Sequence, residues 1–432
     1  MNSLVTKIED KTAIVGVAGL GYVGLSLAVE FAKGGYQVLG IDISQERIAQ
    51  ILQGESYIID IKSKDTAHLV QSGRLKVSRS YDLLRDADTI SICVPTPLRK
   101  TKDPDTSHIR LAIAEIKRIF HTPLLIVLES TTYPGTTREL IANEIEQLGY
   151  KVGKDFYVAF SPERVDPGNL TFNTKNTPKV IGGATKRCTE IARKLYDKVI
   201  EKVVVVNSTE EAEMIKLLEN TFRSVNIALV NEMAQMCDRM DIDIWNVIGG
   251  AQTKPFGFMP FYPGPGIGGH CIPLDPMYLS WKAKTYDFYN RFIELATDIN
   301  GNMPHFVVRK LSRILNEKKK PLNGSKILIL GIAYKKDTDD IRESPGLEIY
   351  RLLKKEKCLI EFNDPYVRSF EEGGKNIRSK KISAGMLKKY DCVVVSTDHT
   401  HYDHTLIAKH ATLIFDTRNA FKSIKSKKIV RL

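Results

Sequence analysis

The chain has 432 residues, with 63 Lys and Arg against 51 Asp and Glu and a formal net charge of +12. That length exceeds what one hydrophobic core usually serves, so two or three domains are expected. Hydrophobic residues at 43% and charged residues at 26% are ordinary for a soluble globular protein. The N-terminus lacks the basic start, apolar core and cleavage site of a signal peptide, and no apolar run nears the roughly 20 residues that span a bilayer. Six cysteines with no CxxC pair form neither a disulfide framework nor a zinc site. The expectation is a cytoplasmic protein with reduced thiols, no metal and no membrane partner. The lysines are dispersed and carry no aromatic-interleaved stripe or nucleic-acid-binding signature, so the charge is assigned to a solvated surface that attracts anionic nucleotides, not nucleic acid.

In chain order, residues 12–17 form a short apolar run, followed by a glycine turn and a helical pattern over 23–33. Residues 37–43 read as the next strand, closed by Asp42. Apolar runs at 89–94, 124–128, 156–160 and 203–206 continue the alternation of strand and helix, which argues for a parallel, doubly wound sheet. From Thr209 to Met240 there is no proline or glycine, and apolar residues recur at steps of three and four. One long linking helix is predicted there, capped by Ser208 or Thr209 with glutamates in its first turn. A second α/β unit follows, with strands at 327–330, 358–362, 392–396 and 412–415 and a helix at 345–355. The predicted fold class is α/β: two Rossmann-like doubly wound domains joined by a central helical domain, with boundaries at 1–207, 208–310 and 311–432.

The first chemical motif is Gly19-x-Gly21-x-x-Gly24, after a strand and opening a helix, with Asp42 ending the next strand. Such glycines permit a tight turn and close approach of backbone amides to a pyrophosphate at a helix N-terminus. Asp42 is placed to bond the ribose hydroxyls and repel a 2′-phosphate, favouring NAD over NADP. The second motif runs from Pro263 to Pro276, with Gly264, Gly266, Gly268 and Gly269 followed by His270, Cys271 and Asp275. A glycine-rich loop can press its backbone against a ligand, and a thiolate beside a cation or amides is a nucleophile; a glycine turn with a buried cysteine is the plainer alternative. Cys188, Cys237, Cys358 and Cys392 fit core packing, and Cys93 ends a strand before Pro95-Thr96-Pro97. Glu129-Ser130-Thr131-Thr132-Tyr133-Pro134-Gly135 and Ser161-Pro162-Glu163-Arg164 each follow a buried strand, where a nucleotide binds in such folds. Lys216 and Asn220 share a helix face, which spacing alone reads as solvated.

Taken together, Gly19-Leu20-Gly21-Tyr22-Val23-Gly24, Ser130-Thr131-Thr132, Ser161-Pro162-Glu163, Lys216 with Asn220, Gly268-Gly269-His270-Cys271 and Tyr334-Lys335 through Arg342-Glu343-Ser344-Pro345 resemble the UDP-sugar 6-dehydrogenases. The motifs stand in family order from about Ile14 to Asn419. The resemblance implies an NAD domain, a central helical domain that forms a homodimer or higher homo-oligomer, and a UDP-binding domain. It implies that Cys271 captures the C6 aldehyde and carries a thioester, and that Lys216 and Asn220 handle the alcohol proton and oxyanions. Asp275 positions water or assists proton transfer, Glu163 is the base for hydrolysis, and Thr132 orients the water. Implied cofactor contacts are Gly19, Gly21, Tyr22, Val23, Gly24, Asp42, Arg47, Pro95, Thr96, Ser130 and Thr131. Implied substrate contacts are Arg164, Phe261, Tyr262, Gly264, Gly266, Gly268, His270, Tyr334, Lys335 and Arg342, although Asp339 and Asp340 also offer Arg342 a surface ion pair. The segment 254–264 with His270 resembles bacterial UDP-N-acetylglucosamine 6-dehydrogenases that feed surface polysaccharide synthesis. UDP-N-acetylmannosamine and UDP-glucose are the alternative substrates. Ser26, where many relatives carry proline, is a departure confined to the first helix. A two-electron hydroxy-acid dehydrogenase on a similar fold would need no cysteine, and a nucleic-acid binder would form no NADH.

Overall fold

A computed structural model describes residues 3–432 apart from 59, 100–102, 167, 168, 170 and 270; the expected contact His270 therefore lies outside the described residues. The chain divides into two compact units, residues 1–219 with 277–287 and residues 220–276 with 288–432.

The first unit is built on eight strands: β1 (Ile14–Ala18), β2 (Gln37–Ile41), β3 (Leu75–Ser78), β4 (Thr89–Ile92), β5 (Leu125–Leu128), β6 (Tyr157–Phe160), β7 (Lys179–Gly183) and β8 (Val203–Val206). They lie in the order β3-β2-β1-β4-β5-β6-β7-β8. The first six are mutually parallel, the doubly wound order that creates a switch point beside β1. Pleating explains why the central strands read as continuous apolar runs. Leu125 and Val127 enter one hydrophobic layer and Ile126 and Leu128 the other, so both faces are covered. The sequence pattern missed β3 and β7. It also missed that β7 pairs antiparallel with β6 and parallel with β8, so two of the strands run against the rest. The run at 37–43 stops at Ile41, because Asp42 turns the chain and Ile43 is 75% exposed.

The long helix spans Thr209–Arg239, about 46 Å at 1.5 Å per residue. Ser208 caps it, its Oγ accepting from the Glu211 amide at 3.2 Å. Residues 209–219 belong to the first unit and 220–239 to the second.

The second unit contains a helix at Arg291–Glu317, then β9 (Lys326–Leu330), a helix at Pro345–Lys355, β10 (Leu359–Asn363), β11 (Ser369–Glu372), β12 (Lys375–Arg378), β13 (Cys392–Val395), β14 (Ile414–Asp416) and β15 (Ile429–Arg431). Its parallel sheet has the order β10-β9-β13-β14-β15, with β11 and β12 as a separate antiparallel hairpin. The switch point therefore falls between β9 and β13. The helix at Pro345–Lys355 begins as its sequence predicts, with proline at its first position and the Ser344 hydroxyl accepting from the Gly346 amide at 3.1 Å, a cap worth about 1 kcal/mol. Met303, Val307 and Leu311 of the Arg291–Glu317 helix bury against Ile327, Ile329 and Val394 of the sheet; a fully buried aliphatic side chain contributes about 1.5–3 kcal/mol.

Candidate active site

In the first unit, the turn after β1 shows why three glycines stand where they do. Gly19 has φ +92°, and a Cβ there would come within 2.6 Å of the Cys93 carbonyl oxygen. A Cβ on Gly24 would collide with the Gly19 carbonyl, whereas one on Gly21 meets nothing within 4 Å. The middle glycine thus leaves the N-terminus of the Tyr22–Lys33 helix approachable, and the outer two make the turn that aims it. Asp42 accepts from the Leu20 amide at 2.9 Å and the Ser44 amide at 2.8 Å, and pairs with Arg47 at 3.3 Å. The Arg47 guanidinium lies 5.8 Å from the centre of the Tyr57 ring, and the Tyr57 hydroxyl donates to the Leu20 carbonyl. These groups fit a dinucleotide: amides for its diphosphate and a carboxylate for its ribose. The hydroxyl of Tyr22 donates to Asp60.

Thr96 donates to the Thr131 carbonyl at 2.7 Å, and Ser130 donates to the Val94 carbonyl at 2.7 Å. The turns after β4 and β5 are thereby tied together, bringing Pro95, Thr96, Ser130 and Thr131 to one edge of the sheet. Cys93 is no nucleophile here, since burial pushes its thiol well above the usual range. Thr132 is buried and shares a 2.7 Å hydrogen bond with Thr136. Glu213, on the long helix, accepts from the Gly135 amide at 2.6 Å, the Thr137 amide at 2.8 Å and the Thr137 hydroxyl at 2.6 Å. Burial pushes its carboxyl up to about 8 against the opposing pull of those donors. One turn further on, Lys216 donates to the Glu163 carbonyl at 2.7 Å. The Glu163 carboxylate accepts from the Arg164 and Val165 amides at 2.8 and 2.6 Å. Arg164 pairs with Glu219 at 2.6 Å and donates to the Pro178 carbonyl at 2.8 Å, so its fork is engaged within the protein.

In the second unit, Asn220 donates to Asp275 at 2.5 Å, and both side chains are buried. Cys271 is half-buried. Its carbonyl accepts from the Asp275 amide at 2.8 Å, which places the thiol at the entry to the Asp275–Lys284 helix. The Arg342 guanidinium, held first by Asp340, is also within electrostatic reach of Cys271, the cationic neighbour that a reactive thiol requires. Arg342 grips Asp340 through two nitrogens, the shorter bond 2.5 Å, so the ion pair anticipated from the adjacent aspartates does form. The glycine loop is built into its surroundings. Gly269 donates to the Arg342 carbonyl at 2.9 Å, and Cβ atoms on Gly268 or Gly269 would strike Tyr334. Gly266 has φ +133° and lies against Pro345, and the Gly264 amide donates to Asn231 at 2.9 Å. Phe261 packs edge-on against Phe222, and Tyr262 stacks on Trp245 and donates to Gln252 at 2.9 Å. Tyr334 and Lys335 follow β9 at the switch point.

Three segments match models of one family, described as the UDP-glucose/GDP-mannose dehydrogenase family: its NAD binding domain over residues 13–200, its central domain over 210–302 and its UDP binding domain over 328–423. The chain belongs to that family. It is an NAD-dependent UDP-sugar dehydrogenase. A UDP-N-acetyl-D-mannosamine dehydrogenase of Pyrococcus horikoshii is 37% identical over 390 residues, covering 90% of this chain and 90% of that one. A UDP-N-acetyl-D-glucosamine 6-dehydrogenase of Salmonella typhi is 34% identical over 397 residues, covering 91% of each. Among solved structures, the P. horikoshii UDP-D-ManNAc dehydrogenase superposes with a TM-score of 0.88 at 34% identity, covering 97% of this chain and 98% of that one.

Several residues around these sites escaped the sequence pattern. Lys179 and Tyr196 form a fully buried polar cluster beneath Glu163 with Glu129, which the sequence does place after a buried strand; a lysine opening an otherwise apolar run at 179–183 was the available signal. Asp364 and His399 form a buried pair under the turn after β9. An acidic residue ending the second strand of a sheet, as Asp42 does, could have pointed to Asp364.

Proposed function

We propose that this dehydrogenase oxidises the C6 hydroxymethyl of UDP-N-acetylglucosamine to the carboxylate in two successive steps, supplying a uronate for surface polysaccharide. The observation that carries the chemistry is the Cys271 environment: a half-buried thiol on a glycine loop, near a guanidinium, at the head of a helix whose Asp275 is bonded to Asn220.

NAD held by the turn after β1 and by Asp42 supplies the hydride acceptor for each oxidation. Lys216 accepts the alcohol proton and, with Asn220, stabilises oxygen as negative charge develops on it. The Cys271 thiolate adds to the C6 aldehyde, and the second oxidation of that adduct leaves a thioester, so no free aldehyde is released. In hydrolysis Glu163 takes a proton from water and the hydroxide oxygen bonds to the thioester carbon. The C–S bond then breaks, with its electron pair returning to Sγ. Thr132 orients the water, and Asp275 assists proton transfer. Lys335 and Arg342 meet the anionic diphosphate or the sugar. The division at 1–207, 208–310 and 311–432 assigns the cofactor, the self-association surface and UDP to successive parts of the chain. Exposed Leu218, Phe222, Leu229 and Met236 on the long helix support a homodimer formed through it.

A second reading, UDP-N-acetylmannosamine as substrate, is favoured by the higher identity to the P. horikoshii enzyme, 37% against 34%. Absorbance at 340 nm with excess NAD and limiting sugar nucleotide separates the two. The proposal expects about two NADH per UDP-N-acetylglucosamine consumed, slower turnover of the mannosamine epimer and of UDP-glucose, and none with Cys271→Ala. About two NADH with the mannosamine epimer would replace the substrate and keep the chemistry. About one NADH, or full turnover by Cys271→Ala, would remove the thioester.

A further inference from the structure

Beneath Glu163 lies the polar cluster that the mechanism above leaves unused. Lys179, the first residue of β7, is 5% exposed, and its ammonium sits 2.6 Å from Glu129 and 3.9 Å from Glu163. Glu129 directly follows β5 and is 1% exposed; its other carboxylate oxygen accepts from the Tyr196 hydroxyl. The hydroxyls of Tyr196 and Ser91 are 3.3 Å apart, and the ammonium lies 5.4 Å from the centre of the Tyr196 ring. Glu163 itself is pinned, one oxygen taking the Arg164 and Val165 amides and the other facing Lys179.

We propose that Lys179 is a positioning residue for thioester hydrolysis, holding Glu163 ionised and oriented, with Glu129 as its buried counterion. The inference rests on the reading of Glu163 as the hydrolytic base. Two carboxylates in one water-poor site cannot both stay ionised unless a cation separates them; without it, one takes up a proton. A protonated Glu163 cannot accept a proton from water. Among the described residues, Lys179 is the cation paired with both. Burial works against its charge, but Glu129 and Glu163 outweigh burial and raise its pKa, so the ammonium is retained. Tyr196, held well above its usual range by burial and by Glu129, keeps its proton and prevents Glu129 from turning away. The other titratable groups facing the cluster are Cys93, also pushed up by burial, Tyr22 near Glu163, and Lys216, which bonds the Glu163 carbonyl. None of these can replace the ammonium between the two carboxylates. In hydrolysis the water proton ends on Glu163, leaving Lys179 paired with Glu129, so the cluster absorbs the charge change without moving.

The test compares Glu163→Gln, Lys179→Arg and the double variant Glu129→Gln/Lys179→Met, which removes both buried charges together so that neither is left unpaired. Thermal unfolding establishes that each folds. Intact-protein mass spectrometry after mixing with NAD and sugar nucleotide reads the acyl adduct on Cys271, and stopped-flow absorbance at 340 nm separates the first turnover from the steady state. The double variant is expected to form NADH normally in the first turnover, accumulate the adduct, and lose about 10- to 100-fold in kcat. Lys179→Arg should restore most of the turnover. If Glu163→Gln accumulates the adduct while the folded double variant turns over like the parent and accumulates none, the role of Lys179 is overturned and the base stands. If Glu163→Gln hydrolyses the thioester at the parental rate, the base reading fails first and takes the inference with it.

Discussion

The turns after β1 and β9 are built on the same plan and put to different use. In each, a glycine with positive φ, Gly19 or Gly331, donates its amide to a carbonyl in the neighbouring strand, Ile41 at 2.7 Å or Asn363 at 2.9 Å. In each, an aspartate just past that strand reaches back to the turn: Asp42 to the Leu20 amide, and Asp364 to the Ile332 and Ala333 amides at 2.7 and 3.0 Å. They part at what is left over. Asp364 also accepts from the Tyr366 and Val367 amides and bonds His399 at 3.0 Å, so it is consumed as an internal staple. Asp42 makes fewer such bonds and can still serve a ribose. The second difference is spacing. The Tyr22–Lys33 helix starts almost at once after β1, whereas residues 331–344 intervene between β9 and the Pro345–Lys355 helix. On the proposed reading, the first turn brings a diphosphate directly to a helix N-terminus. The second carries Tyr334, Lys335 and Arg342 in the intervening stretch, where the proposal has them meet the substrate. A shared scaffold thus serves one NAD binding domain and one UDP binding domain.

That contrast can be broken most forcefully at the staple. Asp364→Ala leaves four amides and a buried imidazole without their partner, and should cost the second unit about 3–5 kcal/mol, read as lost thermal stability or loss of folded protein. Acid sharpens the same point. Burial works against the Asp364 charge, but His399 and the backbone amides outweigh it and hold the carboxyl below the usual range. Its contribution is therefore complete above the ordinary aspartate value of about 3.9 and fades as pH falls through the lower folded value. Asp364→Asn should lack that acid limb in unfolding curves recorded from about pH 5 downward.

A smaller effect is expected at the first turn. Gly24→Val drives a side chain into the Gly19 carbonyl and should weaken NAD binding about 100-fold by displacing the turn, with UDP-sugar binding by calorimetry unchanged. Loss of both affinities together would mean that the two turns are not independent. The mildest change is at Asp42. Replacing it with Asn removes the negative charge that disfavours a 2′-phosphate and should move the NAD-to-NADP preference about 10-fold toward NADP, read from kcat/KM ratios. An unchanged ratio would deny Asp42 its part in cofactor choice.

The difference between the turns also shows what a sequence discloses. GxGxxG with an aspartate in register is legible because every element of the site lies within a short stretch. The long helix was legible because its periodicity runs unbroken for 31 residues. Residues 179–183 were not recognised as a strand, since Lys179 looks solvated until Glu129, fifty residues earlier in the chain, is seen against it. The hairpin β11–β12 is hidden for a different reason: each four-residue strand offers one apolar residue to the core, Phe370 or its partner Ile377, too few to print a pattern. Spacing alone reads Lys216 as solvated, whereas in the structure its ammonium bonds the Glu163 carbonyl, 53 residues away in the chain. Contacts made across long separations in sequence leave no period to detect, and polar ones leave no hydrophobicity either.

The glycine loop before Cys271 carries one more consequence. Gly266 lies against Pro345, Gly268 against Tyr334, the Glu343 carbonyl and Pro345, and Gly264 against Arg418. No single compensating substitution at Tyr334 relieves the crowding at Gly268, because a Cβ there would meet the Glu343 carbonyl at 2.8 Å as well as the Tyr334 Cβ. The loop is therefore not an exchangeable cassette. A chimera that imports residues 263–275 from a relative with another sugar preference would carry half of a fitted joint, and it needs residues 331–345 from the same parent to close it. Heredity faces the same restriction: the two stretches can drift only as a pair, which makes them one module of inheritance written in two places.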